Sequence, residues 1–279
     1  MSTVQTEKQQ QKEAMKMLKD TSRTFYIPIT MLNPELKKTV ASAYLCMRAI
    51  DEIEDSPVLA SETKALLLKE TEKLLESPGP FAQKEYDALL APVAKDLPEV
   101  ALRLGDWLDT CPAGYTDKVK AFTAEMAGGM SKWASKNWNV ETVEDLDDYT
   151  YYVAGLVGVM LSDIWEWHNG TKTDRDLAVG YGRGLQMVNI LRNVEEDRER
   201  GVSFLPDSMS TDEAFDYAQK NLDDGLEYMK DIDTKSILLF CRIPLALARK
   251  TLNALRDGRE KMSRAEVEDT VAQITSDSK

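Results

Sequence analysis

The chain predicts an all-α fold. Between breaking residues most segments carry apolar side chains at spacings of three and four, and β-branched runs are short. Hydrophobic residues make up 43% of the 279, enough for a continuous core. Taken in order, helices are expected over 9–20, 34–54, 61–76, 81–91, 95–109, 115–137, 143–168, 174–200, 210–231 and 235–258, with a shorter one over 264–275. The second ends where an acidic run meets Ser56-Pro57, and Ser77 to Pro80 (SPGP) stops the third. Cys111-Pro112-Ala113-Gly114 separates the segments on either side of it. Asn169-Gly170 closes 143–168, and Gly201 to Pro206 closes 174–200. No linker rich in Gly, Ser or Pro and no repeat of fixed period divides the chain. Residues 1–279 are therefore expected to form one domain, with polar, frayed tails at 1–8 and 276–279.

The composition narrows the function. With 48 acidic against 35 basic residues the formal charge is −13, which repels phosphate backbones and disfavours nucleic acid as a partner. Cys46, Cys111 and Cys241 stand far apart with no CxxC pair, which points to a reducing, cytoplasmic setting and away from zinc ribbons. The first residues lack the apolar core of a signal peptide, and no run of eighteen apolar residues predicts a transmembrane segment. His168, the one histidine, precedes Asn169-Gly170 and reads as a helix C-terminal residue rather than a catalytic base.

Two polar constellations stand out. In YLCMRAIDEIED, Tyr44, Arg48, Asp51 and Asp55 follow at steps of four, three and four, which puts them on one helical face. Asp51 and Asp55 would then have Cβ atoms roughly 5–6 Å apart, close enough to share Mg²⁺ ions that also hold a diphosphate. Arg48, one turn earlier, is placed to bind the same anion. A DxxxD pair on a helix also reads as a solvated acidic face; the apolar neighbours Ala49, Ile50 and Ile53 put this one at the lip of a core helix.

The second constellation lies in GRGLQMVNILRNVEEDRERG. Gln186, Asn189, Asn193 and Asp197 step by three, four and four, so polar side chains share a face while Val188, Leu191 and Val194 fall elsewhere. Arg192 and Glu196 are spaced to pair at i, i+4. Gly180, Gly182 and Gly184, like Gly155 and Gly158, sit inside expected helices at about 1 kcal/mol each relative to alanine. Close helix packing and room for a substrate both explain them.

Five blocks in order carry a resemblance: SRTFY (22–26), MRAIDEIED (47–55), YYVAGLVG (151–158), LQMVNILRNVEED (185–197) and FCRIP (240–244). On these residues the chain resembles the squalene/phytoene synthase family, most closely its squalene-forming members. The resemblance implies a class I isoprenoid synthase fold with a central cavity, in which aspartates on facing helices hold Mg²⁺ and prenyl diphosphate substrates. It implies head-to-head joining of two farnesyl diphosphates through presqualene diphosphate, followed by reduction with NADPH. Carried over by position, Asp51, Asp55, Asn193, Glu196 and Asp197 are the implied metal residues. Arg48, Ser22, Arg23, Gln186, Asn189 and Arg192 are the implied substrate-binding residues. Tyr152 matches a tyrosine near the ionising diphosphate, and Phe25 and Phe240 match aromatic positions beside the carbocation.

The match departs from the family pattern at Asn193, where an aspartate normally opens the second motif; one anionic ligand is lost. Phe204 and the FCRIP block favour squalene over a carotenoid-type product. Lys261 and Arg264 stand where the family binds NADPH phosphates, although their spacing equally suits a helix-surface pair. A dehydrosqualene- or phytoene-type product, release of presqualene diphosphate or farnesol, and a non-catalytic lipid-binding or assembly role remain alternatives. The membrane helix of eukaryotic squalene synthases has no counterpart, so peripheral membrane contact is the expected limit of membrane association.

Overall fold

In a computed structural model of the protein, residues 3–259 and 262–277 are described, and every regular element among them is helical. Contacts divide the chain into two compact units.

The first unit gathers the described residues up to Ile29 with Asn33–Asn137. It contains α1 (Thr3–Thr21), α2 (Arg23–Thr30, whose last residue groups with the second unit), α3 (Pro34–Glu54), α4 (Ser61–Glu76), α5 (Gln83–Leu90), α6 (Glu99–Leu102), α7 (Leu104–Asp109) and α8 (Thr116–Ser135). α3 is its axis. Asn33 caps that helix by accepting from the Leu36 amide at 3.0 Å, Pro34 opens it, and Leu36, Val40, Cys46, Ala49, Ile50 and Ile53 are buried along it. α8 packs against both α3 and α4.

The second unit contains Thr30–Leu32 and the described residues from Trp138 onward. It comprises α9 (Val143–Thr150), a π turn over Tyr151–Gly155, α10 (Leu156–Asn169), α11 (Arg175–Arg192), α12 (Val194–Glu199), α13 (Thr211–Tyr228), α14 (Lys235–Arg256) and α15 (Arg264–Asp277). α11 lies at its centre, against α10, the π turn, α13 and α14. The glycines explain how it fits there. A methyl group on Gly158 would collide with the Ala178 carbonyl, and one on Gly182 would collide with the Ala154 carbonyl. Close packing is thus what these positions require.

Several expected elements differ. The first helix begins at Thr3, so residues 3–8 are helical rather than frayed, and α15 runs on to Asp277. The expected helix over 95–109 is cut into a 3₁₀ turn at Ala94–Asp96, α6 and α7, because Pro98 cannot donate an amide and Arg103 leaves helical backbone (φ −111°, ψ 32°). The segment 143–168 widens into the π turn, and 174–200 breaks at Asn193. α2 was not expected, since Pro28 inside it reads as a breaker.

Candidate active site

In the first unit the polar face of α3 forms as its spacing predicts. Arg48 donates from Nη1 to Asp51 at 2.8 Å and from Nη2 to Glu52 at 2.5 Å. Glu52 belongs to this cluster and was absent from the sequence expectation, although its i, i+4 spacing to Arg48 was the available signal. Asp55 caps the helix, its amide donating to the Asp51 carbonyl at 2.8 Å. Burial, and next the charge of Asp55, push the Asp51 carboxyl up to about 7 against the pull of Arg48. The Asp51 side chain is nevertheless 32% exposed, so solvent and ligands can reach it.

Beside this face, Ser22 is buried and caps α2, accepting from the Phe25 amide at 3.0 Å. That cap fixes Phe25, whose ring is tilted 6.2 Å from the ring of Tyr44. Tyr44 donates to the Thr21 carbonyl at 3.3 Å, and burial raises its phenol. Arg23 begins α2, and its side chain lies outside the described residues.

In the second unit Tyr152 sits within the π turn, edge-on to Tyr151 at 5.2 Å. Such turns arise where one extra residue is accommodated in a helix, frequently at functional positions. On α11, Gln186 is half-buried and Asn189 and Arg192 are exposed. Arg192 does not form the expected pair with Glu196. It donates instead to Asn189 at 3.2 Å and Asn193 at 3.4 Å, and the helix ends at Asn193, before Glu196. Hydrogen bonding resumes at once, with the Asp197 amide donating to the Asn193 carbonyl at 2.9 Å. Asp197 is buried and ion-paired with Arg200, while Glu196 is exposed. A cavity of about 380 Å³ opens along this segment, walled by Leu191, Val194, Phe204, Met209 and Phe215, with Arg192 and Asp197 also on its lining.

Phe240 is buried on α14, edge-on to Trp165 at 5.6 Å. Arg264 opens α15 and donates to Glu268 at 2.8 Å with its side chain 92% exposed, the arrangement of a helix-surface pair. Lys261 lies outside the described residues.

Among the described residues no three His, Cys, Asp or Glu side chains converge as a metal-binding group. Asp51, partly exposed, and Asp55 four residues on still suit magnesium, which takes few protein ligands and fills its other positions with water and phosphate oxygens. Burial first, and the Asp55 charge second, raise Asp51, and a divalent cation would relieve the second of these. No described helix is long and apolar enough to cross a membrane.

Comparison with known proteins gives a consistent result. Residues 18–216 match the squalene/phytoene synthase family model. A Panax ginseng protein, squalene synthase 10, is 30% identical over 271 residues, covering 85% of this chain and 61% of that protein. The squalene synthase of Schizosaccharomyces pombe is 30% identical over 275 residues, covering 86% of this chain and 58% of that one. The chain thus spans about three fifths of the length of these relatives. Among solved structures, TcSQS bound to BPH1237 aligns with TM-score 0.74 at 23% identity, over 96% of this chain and 86% of that chain. A dehydrosqualene synthase in complex with ligand aligns with TM-score 0.65 at 22% identity, over 98% and 97%. The fold is that of these class I isoprenoid synthases.

Proposed function

The chain belongs to the squalene/phytoene synthase family, and from that premise we propose that it is a Mg²⁺-dependent prenyltransferase joining two farnesyl diphosphates head to head. The route runs through presqualene diphosphate to squalene, with NADPH as reductant. The observation that carries this reading is the end of α3, where Asp51 and Asp55 share one face and Arg48 binds Asp51 at 2.8 Å.

Asp51 and Asp55 in the first unit, and Asn193, Glu196 and Asp197 in the second, would each offer oxygen ligands to magnesium, which would supply the charge that lets a diphosphate depart. Arg48 orients Asp51 and presents its remaining guanidinium edge to a phosphate oxygen. Arg23, Gln186, Asn189 and Arg192 bind substrate. Ser22 contributes through its cap on α2, which holds Phe25 in place. Tyr152 moves a proton beside the departing diphosphate. The rings of Phe25 and Phe240 exclude water and favour positive charge on the prenyl carbon skeleton. Lys261 and Arg264 take the phosphates of NADPH, and the prenyl tails arrive through peripheral contact with a membrane.

Incubation of the purified chain with farnesyl diphosphate, Mg²⁺ and NADPH should yield a thirty-carbon hydrocarbon by mass spectrometry. Recovery of only unreacted substrate or farnesol would reject this product. One observation favours a second reading. Asn193 replaces a metal carboxylate and already serves α11 as its cap and Arg192 as an acceptor. On that reading the sequence stops at presqualene diphosphate or farnesol. A dehydrosqualene- or phytoene-type product would be recognised by its indifference to NADPH.

A further inference from the structure

Among the described residues, two buried side-chain atoms find no hydrogen-bond partner: Arg48 Nε and Ser56 Oγ. Both belong to the C-terminal end of α3, Arg48 within its last two turns and Ser56 directly after the Asp55 cap. Ser56 as a whole is 6% exposed. Pro57 follows it and keeps its backbone out of the helical region, so the hydroxyl is carried on a constrained residue. A buried hydroxyl without a partner has given up its hydration for nothing, and folded chains rarely keep one unless a group from outside completes it. Two such atoms lie at one helix end, next in sequence to a carboxylate pair suited to magnesium; both are covered as the structure stands, so an oxygen-rich ligand would meet them by turning the Ser56 hydroxyl and the Arg48 side chain outward.

The chemistry of the two atoms narrows that ligand. Arg48 Nε can only donate, and the Ser56 hydroxyl can donate without adding negative charge beside the Asp51 and Asp55 carboxylates. We propose that Ser56 is a further diphosphate-binding residue, its hydroxyl donating to one diphosphate oxygen while Arg48 Nε donates to another. This rests on the reading of the α3 end as a diphosphate site.

The test is calorimetric titration of inorganic pyrophosphate, with Mg²⁺ present, into the full chain and its Ser56→Ala and Ser56→Thr variants. Thermal melts of each protein without ligand accompany the titrations. Ser56→Ala should bind about tenfold more weakly, as expected for loss of a hydrogen bond to a charged group. Its unliganded melting temperature should stay level or rise, because an unsatisfied buried atom has been removed. Ser56→Thr, which keeps the hydroxyl, should bind like the parent. Unchanged affinity in Ser56→Ala would overturn the assignment, and so would a lowered melting temperature that accompanies the weaker binding, since that pattern belongs to a hydroxyl serving the fold. A parent chain that fails to bind pyrophosphate with Mg²⁺ would remove the diphosphate site itself. Parent binding with an unaffected Ser56→Ala would remove only the role of Ser56.

Discussion

At the end of α3 the helix runs unbroken through Arg48 and Asp51 to its cap at Asp55, whereas in the second unit α11 stops at Asn193 and a separate short helix carries Glu196 and Asp197. The first end is electrostatically unfinished: Asp51 is pushed up by burial and by Asp55, and Arg48 Nε and Ser56 Oγ lack partners. The second is largely settled by the protein itself. Arg192 donates to Asn189 and Asn193, Asp197 pairs with Arg200, and Arg198 pairs with Glu195 at 3.2 Å. An unfinished site depends on its ligand more than a settled one does. The α3 end is therefore expected to dominate metal and diphosphate binding, with the α11–α12 segment in a supporting role.

Substitutions can break that ranking. Asp51→Asn or Asp55→Asn should lower turnover by about a thousandfold, the scale of losing a charged group that acts on the departing anion. Asp197→Asn should cost less, about tenfold to a hundredfold, because the Arg200 contact shows how readily protein groups already satisfy that carboxylate. Steady-state rates measured across Mg²⁺ concentrations would compare the three, and equal losses would erase the distinction. Asn193→Asp should raise Mg²⁺ affinity a few-fold. Lower affinity in that variant would show asparagine to be the adapted residue.

The smallest effect concerns the metal-free protein. In the folded protein burial, and next the Asp55 charge, push the Asp51 carboxyl up to about 7, above the unfolded value of about 3.9. Folding thus favours its protonated form, and stability declines as pH rises from about 4 toward 7. Asp51→Asn should remove that decline and leave the metal-free protein more stable than the parent at neutral pH, by about 1 kcal/mol. Melting curves across this range would check it; a variant less stable than the parent at pH 7 would contradict it.

Much of the first site was legible in the chain because α3 is an ordinary capped helix, so that steps of four, three and four translate directly into one face. The second was less so. Nothing in RNVEED breaks a helix by composition, and at Asn193 it is the backbone that leaves helical values (φ −104°, ψ 10°) while the side chain accepts from Arg192. The π turn that holds Tyr152 depends on its tight packing under Gly182, a tertiary fact that the apolar period of 143–168 does not contain. α2 escaped notice because Pro28 is tolerated inside a short helix whose Ser22 cap becomes evident only with Phe25 in view. Burial of Ser56 without a partner has no sequence signature at all.

The central claim is that carboxylates at the end of α3 make diphosphate departure depend on magnesium. Release of inorganic pyrophosphate from farnesyl diphosphate, followed against Mg²⁺ concentration in the parent chain and in Asp51→Asn, tests it most directly. Saturable, Mg²⁺-dependent release in the parent and its near-complete loss in the variant are the predicted results. Equal release by the two proteins, or none from the parent at any Mg²⁺ concentration, would contradict the claim.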